Sequence, residues 1–324
     1  MAGKSTIEWT DYTWNFLSGC GRVSEGCDNC YAFALHDQRH AIYVKNNGYW
    51  NPQGKPMPKQ YAQPFSTIQI LPDRLREPLS VRQPKRWFVN SMSDFLHSQV
   101  PATVLLQAFE VMEQAHWHTF QILSKRPGRL RRLEWELTRA MQERVIVQVL
   151  GAEEAERLLL AQGEGLLRPN QVERLLQKQG AEQPFSHDEQ DTICTLQFEW
   201  PQNAIMGLSV ESDLGSARAN ALRSSKAWTK FLSCEPLLGP LPSLDLTGIH
   251  WVITGGESGP HARPCHPDWV RDLRDRCVEQ GIAFFHKQWG GRTPKAGGRL
   301  LDGRTWDQLP VSPTTRRENI YEDK

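Results

Sequence analysis

Three cysteines lie within eleven residues near the start of the chain, and they are the strongest chemical signal in the sequence. They are Cys20, Cys27 and Cys30, in a C-x6-C-x2-C spacing. Three thiolates this close together can bind three corners of an iron–sulfur cluster, which leaves the fourth iron open to another ligand. Glycines at 19, 21 and 26 let the backbone fold around a bulky inorganic core.

Two alternatives stay open for the same cysteines. A structural zinc ion takes four ligands, so a distant Cys265, His266 or His36 would have to complete the site. A disulfide or unliganded thiols would be the third reading. The odd total of 7 Cys and a polar start that is no signal peptide argue against disulfides. We therefore expect a cytoplasmic protein with reduced thiols.

Short apolar runs recur along the chain, and polar or glycine residues and then helical patterns follow them. The strand-like runs are residues 13–17, 86–90, 118–123, 204–208, 229–232, 250–254 and 282–286. Strands that alternate with helices favour a parallel sheet with helical crossovers. The sequence therefore predicts an α/β fold, a partial (β/α) TIM-type barrel with about six or seven parallel strands. An open doubly wound sheet is the alternative.

Local signals place the helices and the irregular parts. Helices are expected after Pro101, after Ser212 or Asp213, and from Pro267 to a stop at Gly281. Residues 1–310 would form one barrel domain that carries a long loop at 40–85. A helical hairpin at 150–203, turning near Pro169 and Asn170, would be an insertion between the third and fourth strands. The tail at 311–324 would be loose.

Charged side chains follow several of the predicted strands. Because ligands bind at the carboxyl ends of parallel strands, these residues are candidates for a shared site. The carboxylates are Glu211, Glu235 and Glu257, and the cations are Lys125, Arg126 and Lys287. Such a set can grip a zwitterion, since carboxylates bind an ammonium and Lys or Arg binds a carboxylate or phosphate.

Two residues of this set are candidates for catalysis. Glu257 lies between glycine pairs, which allow a ligand to approach the backbone closely. Cys234 lies next to Glu235 and is a candidate hydrogen-atom donor or nucleophile if it faces the same cavity. Its other interpretation is a small buried apolar residue.

These segments together resemble a phage- and prophage-associated three-cysteine family of unassigned function. The resemblance is carried by the cysteine loop with Tyr31 and by residues 88–94, 123–127, 232–239, 255–259 and 287–290. It runs from about residue 5 to about residue 292, interrupted by the 150–203 insertion. That family is in turn similar to the radical S-adenosylmethionine superfamily.

The resemblance implies a reaction and a set of ligands. Cys20, Cys27 and Cys30 would bind a [4Fe–4S] cluster whose open iron is chelated by S-adenosylmethionine. One electron, delivered by a reductant protein, would cleave this cofactor to a radical that abstracts hydrogen from a substrate. The loop with Asn90, Ser91, Ser93 and Asp94 would hold the methionine amino group, and Lys125, Glu211, Glu235 and Glu257 would contact cofactor or substrate. A nucleobase, nucleotide or nucleic acid would suit the phage setting.

Composition narrows the alternatives to this function. A formal net charge of +1 gives no global positive field for nucleic acid, although basic stretches at 125–132 and 263–276 could contact phosphates. No apolar run approaches membrane-spanning length, so no membrane partner is expected. The main alternative is a zinc-stabilised barrel that binds nucleic acid or a protein without redox chemistry. A hydrolase using the strand-end carboxylates as acid and base is a third.

Overall fold

The protein is described here by a computed structural model covering residues 3–51, 54–162, 193 and 195–311. The chain divides into two compact units. The first comprises Met1–Val100, Phe109–Leu130 and Trp200–Lys324, and the second comprises Pro101–Ala108 and Arg131–Glu199.

The first unit is organised around one mostly parallel sheet of eight strands. Its order is β1-β2-β5-β6-β7-β8-β9-β10, in which β1 is antiparallel to β2 and every other pair is parallel. The strands are β1 Gly3–Lys4, β2 Tyr12–Trp14, β5 Arg86–Val89, β6 Thr119–Ser124, β7 Ala204–Ser209, β8 Thr229–Cys234, β9 Trp251–Gly255 and β10 Ala283–Gln288. A separate antiparallel pair joins β3 Leu17–Ser18 to β4 Gln69–Ile70.

The sheet curls into a half-barrel. Strands β5 to β10 are neighbours in the order in which they occur in the chain, whereas a doubly wound sheet reverses its order at a switch point. Side chains from both ends of this series also meet in one buried cluster on the concave face. Phe88 of β5 and Phe285 of β10 belong to it, with Trp9, Ile205, Phe231, Trp251 and Ile253. A flat sheet would keep β5 and β10 apart, so the open doubly wound alternative is wrong.

All seven predicted runs contain strands of the sheet, and two details differ from the prediction. The run at 13–17 splits, because Tyr12–Trp14 joins the large sheet while Leu17–Ser18 pairs with β4. The two-residue strand β1 has no apolar signal, and both of its residues are exposed. It therefore could not be found by pattern.

The outer edge of β10 is covered by the chain that follows it. His286 N donates to Trp306 O at 2.9 Å, and Gln308 N donates to Phe284 O at 3.2 Å. The Gln308 side chain also accepts from Phe284 N at 2.9 Å. This segment satisfies backbone groups that an open barrel leaves unpaired at its last strand.

The described helices include those predicted after Pro101, after Ser212 or Asp213 and from Pro267, and also two, at residues 31–45 and 127–150, that were not predicted. The described helices are α1 Tyr31–Lys45, α2 Ala102–Gln114, α3 Pro127–Leu150, α4 Ala152–Gln162, α5 Arg218–Ser224 and α6 Pro267–Glu279. Pro267 begins α6 and Gly281 follows its end with φ +65°, as expected. The helix expected after Ser212 is broken into a 3₁₀ turn at Asp213–Gly215 and then α5, which leaves Leu214 exposed instead of packed.

Residues 40–85 are more ordered than the predicted loop. Their first part, up to Lys45, belongs to α1, and short 3₁₀ helices and β4 follow. His36 of α1 and Phe65 are buried against each other, with ring centroids 4.8 Å apart. The prediction of a loop failed because these buried residues are isolated in the sequence and form no hydrophobic periodicity.

The second unit contains most of α3 together with α4, so helices do lie between β6 and β7. Within it, Phe198 N donates to Thr138 Oγ1 at 3.0 Å, and Gln142 Nε2 donates to Ile193 O at 3.0 Å. These bonds fasten the returning chain to α3. The predicted turn near Pro169 and the tail after 311 fall outside the described residues.

Among the helices described, none combines the length and apolar character needed to cross a lipid bilayer.

The core packing on the concave face generates a test of the fold. A methyl group added at Gly207 of β7 would collide with the buried ring of Phe231 on β8. We expect Gly207→Ala to lower the free energy of unfolding by about 1–3 kcal/mol, measured by chemical denaturation. Gly128→Ala is the control, since a methyl group there meets nothing within 4 Å. Equal stability of the two variants would contradict this packing.

Candidate functional site

A cavity of about 220 Å³ opens in the first unit at the carboxyl ends of the parallel strands. All three cysteines of the motif line it. So do residues from the ends of β5 to β9 and from β10, among them Asn90, Asp94, Lys125, Glu235, Glu257 and Lys287. Trp9, Phe88 and Leu123 form an apolar part of its wall. The structure therefore brings together most of the residues that the sequence singled out.

The cysteine loop, residues 19–30, is shaped by hydrogen bonds to its surroundings. Gly19 has φ +100° and leaves no room for a side chain against Thr67, and Cys20 N donates to Phe65 O at 2.8 Å. Cys27 ends a 3₁₀ turn, and Cys30 is the N-cap of α1. Because a helix N-terminus favours negative charge, this end of α1 suits a thiolate-bound group.

The cysteines do not converge on one point. Within the described ranges, no three His, Cys, Asp or Glu side chains are close enough to hold a single metal ion. An iron–sulfur cluster is several ångströms across, so its ligands need not meet at one atom as zinc ligands do. Burial raises the pKa of the Cys20 thiol to about 11, and nearby Asp94 adds to the effect.

The fourth ligands considered for zinc lie elsewhere. His36 is a buried residue of α1, and its Nε2 lies 2.9 Å from Gln63 O. His266 is the N-cap of α6, where its Nδ1 accepts a bond from Asp268 N at 3.3 Å. Neither of them lines the cavity with the three cysteines, and neither does Cys265.

The loop after β5 supports the cysteine loop and also faces the cavity. Ser93 Oγ donates to Gly19 O at 2.6 Å, and Ser91 O accepts from Tyr31 Oη at 2.8 Å. Asp94 accepts from Ser124 Oγ at 2.6 Å and from Lys125 N at 3.0 Å, which ties the ends of β5 and β6 together. Asp94 therefore has a structural role in addition to its place in the wall.

Asn90 of this loop has a side-chain donor that is available for a hydrogen bond to a ligand. It adopts φ +61°, a left-handed conformation that Asn tolerates better than most side chains. Its Oδ1 accepts from Leu17 N at 3.2 Å. Its buried Nδ2 has no hydrogen-bond partner in the part of the chain that the structure describes. An amide donor left over in a cavity wall marks a place for a ligand acceptor.

Glu211 is 1% exposed and is held by two cations. Lys125 Nζ pairs with its Oε1, and Arg218 Nη1 lies 2.6 Å from its Oε2. Burial alone would raise the pKa of Glu211, but Lys125 and Arg218 outweigh it, so the pKa lies below its usual value. Ser24 Oγ of the cysteine loop donates to the same carboxylate at 3.0 Å. Glu211 is not among the residues lining the cavity.

Glu257 accepts four hydrogen bonds, three of them from Arg263. Arg263 Nη2 lies 2.6 Å from its Oε1, and the fourth donor is Asn29 Nδ2 of the cysteine loop at 3.0 Å. Burial works to raise the pKa of Glu257, but the hydrogen bonds from Arg263 more than offset this effect. The pKa of Glu257 therefore lies below its usual value. A carboxylate satisfied in this way is a poor general acid or base.

Glu235 is the third strand-end carboxylate, and its surroundings differ. It forms an ion pair with Lys287 Nζ, and both residues line the cavity. The two side chains are 18% and 15% exposed, so they remain accessible. This pair offers one negative and one positive group to a ligand at the mouth of the cavity.

Cys234 does not face the cavity, and that expectation is wrong. It is wholly buried, while its neighbour Ser233 lines the wall, because successive side chains of a strand point to opposite faces. Burial raises the pKa of Cys234, with Cys277 of α6 contributing. Cys234 is thus the small buried apolar residue of its second interpretation.

The two basic stretches use several of their charges internally. Arg126 Nη2 donates to Gly21 O at 3.1 Å, and Arg263 is bound to Glu257. On α6, Arg271 lies 2.8 Å from Asp302, and Arg276 lies 3.1 Å from Asp272. The stretch at 263–276 therefore has little positive charge to spare for phosphates, whereas Arg132 of the first stretch has a side chain that is 71% exposed.

Several residues of the site were not predicted as such. Arg218 and Arg263 neutralise the two buried glutamates, and Ser24 and Asn29 join those glutamates to the cysteine loop. Arg263 had been placed in a basic stretch without a partner. Sequence reasoning missed these pairings because each depends on tertiary contact, and no local spacing signals it.

An α/β half-barrel with a cysteine-lined cavity at the strand ends is the class of protein that these features define. A family model described as a protein of unknown function, DUF5131, matches residues 4–310. The chain therefore belongs to this family. No curated protein and no solved structure matches the chain significantly.

The bonds to Glu257 predict a pH-dependent contribution to stability. The pKa of Glu257 is lower in the folded protein than its ordinary value of 4.5, so its stabilising effect is complete above that value and is lost as the pH falls through the folded pKa. Glu257→Gln should therefore destabilise at about pH 6, and its difference from the wild type should narrow as the pH falls below 4.5. Denaturation curves at each pH measure this. Arg263→Met should remove the difference, and a constant gap across pH would refute the assignment.

Proposed function

We propose that the protein is a radical S-adenosylmethionine-type enzyme built on a partial TIM-type barrel. The proposal rests on one observation, that Cys20, Cys27 and Cys30 line a single cavity at the strand ends. The sequence resemblance to the radical S-adenosylmethionine superfamily supports the same function.

The cavity wall fits a [4Fe–4S] cluster with one open iron. Cys20, Cys27 and Cys30, the last of them at the N-terminus of α1, would provide three thiolate ligands, and none of the described alternatives for a fourth protein ligand lines the cavity with them. When bound and reduced, such a cluster supplies the electron that cleaves S-adenosylmethionine to a radical able to abstract hydrogen. The chain itself orients the thiolates, supplies polar groups beside them, and borders the site with Trp9, Phe88 and Leu123, which limit access of water.

The remaining polar groups of the wall match the charges of S-adenosylmethionine. Glu235 can accept a hydrogen bond from the amino group of its amino-acid part, whose nitrogen lone pair would remain available to the open iron, and Lys287 can pair with its carboxylate. Asn90 Nδ2 can donate to a ligand oxygen or nitrogen. Seven of the eight candidates for cofactor contact line the cavity, namely Asn90, Ser91, Ser93, Asp94, Lys125, Glu235 and Glu257, whereas Glu211 does not.

The proposed function also requires a substrate and an electron donor. We propose a nucleobase, nucleotide or nucleic acid as the substrate class and a reductant protein as the partner, in keeping with the phage-associated resemblance. The zinc-stabilised, non-redox barrel is the competing function. Its proposed nucleic-acid contacts have less support at residues 263–276, since Arg263, Arg271 and Arg276 are engaged in internal ion pairs.

The cysteines give the first test of this function. Anaerobically reconstituted protein should bind about four irons per chain and show a cluster signal in electron paramagnetic resonance that changes on addition of S-adenosylmethionine. Cys20→Ala, Cys27→Ala and Cys30→Ala should each lose the signal, because a ligand is removed. Reduction with S-adenosylmethionine should release 5′-deoxyadenosine.

Cys265→Ala is the matched control for these variants. It removes a partly exposed thiol that does not line the cavity, so iron content and signal should stay at the wild-type level. Bound zinc that disappears in Cys265→Ala, with no iron and no cofactor cleavage, would establish the zinc alternative instead.

The Glu235–Lys287 pair gives a second test. Glu235→Gln and Lys287→Met should each weaken S-adenosylmethionine binding by about tenfold or more, since each removes a charged hydrogen bond to the ligand. Binding is measured by calorimetry on the reconstituted, unreduced protein. Asp302→Asn, at an exposed pair with Arg271, is the control. Unchanged affinity in both cavity variants would exclude this binding mode.

A further inference from the structure

The three strand-end carboxylates do not share one role. Glu211 and Glu257 are both at least nine-tenths buried, and each contacts the cysteine loop, whereas Glu235 pairs with Lys287 in the cavity wall and has no described bond to the loop. The two loop-contacting glutamates follow different strands, β7 and β9. They therefore bind the loop at two separate points.

We propose that Glu211 and Glu257 are positioning residues that hold the cysteine loop in its ligand-binding shape before a cluster is present. Glu235 is the strand-end carboxylate left free to contact a ligand. That the bound group is a cluster rests on the proposed function, whereas the positioning of the loop does not depend on it.

Glu211 fixes the middle of the loop. Ser24 Oγ donates to its Oε1 at 3.0 Å, and Gly26 packs so closely that an added Cβ would lie 2.5 Å from Glu211 Cγ. Lys125 pairs with the same oxygen, Oε1, and Arg218 pairs with Oε2. Since the glutamate cannot move away from its two cations without exposing buried charge, the loop is bound to a rigid group.

Glu257 fixes the end of the loop, where Cys27 and Cys30 are located. Asn29, directly before Cys30, donates to its Oε2 at 3.0 Å and also to His261 O at 3.0 Å. Arg263 extends the contact, because its Nη2 donates to Glu25 O at 2.8 Å and its Nη1 lies 3.5 Å from Asp28. One ion pair thus connects the end of β9 with three positions of the loop.

The physical benefit is preorganisation. Six residues separate Cys20 from Cys27, and three glycines in the loop increase its freedom when it is unrestrained. Each residue that must be ordered on binding lowers the affinity for the group that orders it. Bonds that already order the loop remove this cost, so the three thiols are in place when the inorganic group arrives.

Hydrogen exchange of the metal-free protein tests the positioning role. Backbone amides of residues 24–30 should exchange about tenfold faster in Glu211→Gln and in Glu257→Gln, with little change in β5 to β8, because the loop opens locally. Glu235→Gln is the matched control, since it alters a strand-end carboxylate without touching the loop. Its loop amides should exchange as in the wild type.

Milder variants guard against misfolding of the glutamate variants. Ser24→Ala and Asn29→Ala remove only the loop's side of each contact and leave the buried ion pairs intact. They should show the same local acceleration, and Ser24→Thr, which keeps the hydroxyl, should not. Wild-type exchange in Ser24→Ala and Asn29→Ala would overturn the positioning role.

Iron loading of the same variants separates this inference from the proposed function. Faster loop exchange together with a lower iron yield on reconstitution supports both. If the wild-type protein binds no iron, the proposed function fails, while the exchange data still decide the role of Glu211 and Glu257. If iron loading is normal in variants whose loops exchange faster, preorganisation for the cluster is refuted.

Discussion

Parallel pairing of neighbouring strands is the constraint on which the site depends. From β5 to β10 each strand is hydrogen-bonded to the next one in the chain, so all of their carboxyl ends reach the same rim. Residues as distant as Asn90 and Lys287 therefore line one cavity. The curl of the sheet adds to this, because it turns the rim into a concave wall around the cysteines. These two features of the sheet are sufficient to bring together the residues of the proposed site.

The sequence was sufficient for the sheet and for most of the rim. Buried strands such as Trp251–Gly255 and Ala204–Ser209 are continuous apolar runs, and the residue that follows such a run must lie at the strand end. The three cysteines were evident from type and spacing alone. What the sequence could not give was the direction of a side chain at the end of a strand, which decided that Ser233 and not Cys234 lines the cavity.

The partners of the charged residues were equally beyond pattern reasoning. Glu211, Glu235 and Glu257 look equivalent in the sequence, yet Glu211 and Glu257 are bound by arginines and by the cysteine loop, whereas Glu235 pairs with Lys287 in the cavity wall. Their difference arises from Arg218 and Arg263, whose places depend on how α5 and the segment before α6 return to the sheet. Reasoning from charge alone therefore identified the right carboxylates, but it assigned the same role to all three.

A half-barrel differs from a closed barrel in having two edges, and at one of them a late segment of the chain takes the place of a missing strand. Trp306 and Gln308 bond to β10 after the last helix has ended, so the sheet is completed by residues near the end of the family match. Any shortened version of the protein that stops before them would leave a fully formed β10 with free backbone donors and acceptors. Such an edge invites self-association, so the solubility of the protein depends on a segment that lies outside the cavity wall.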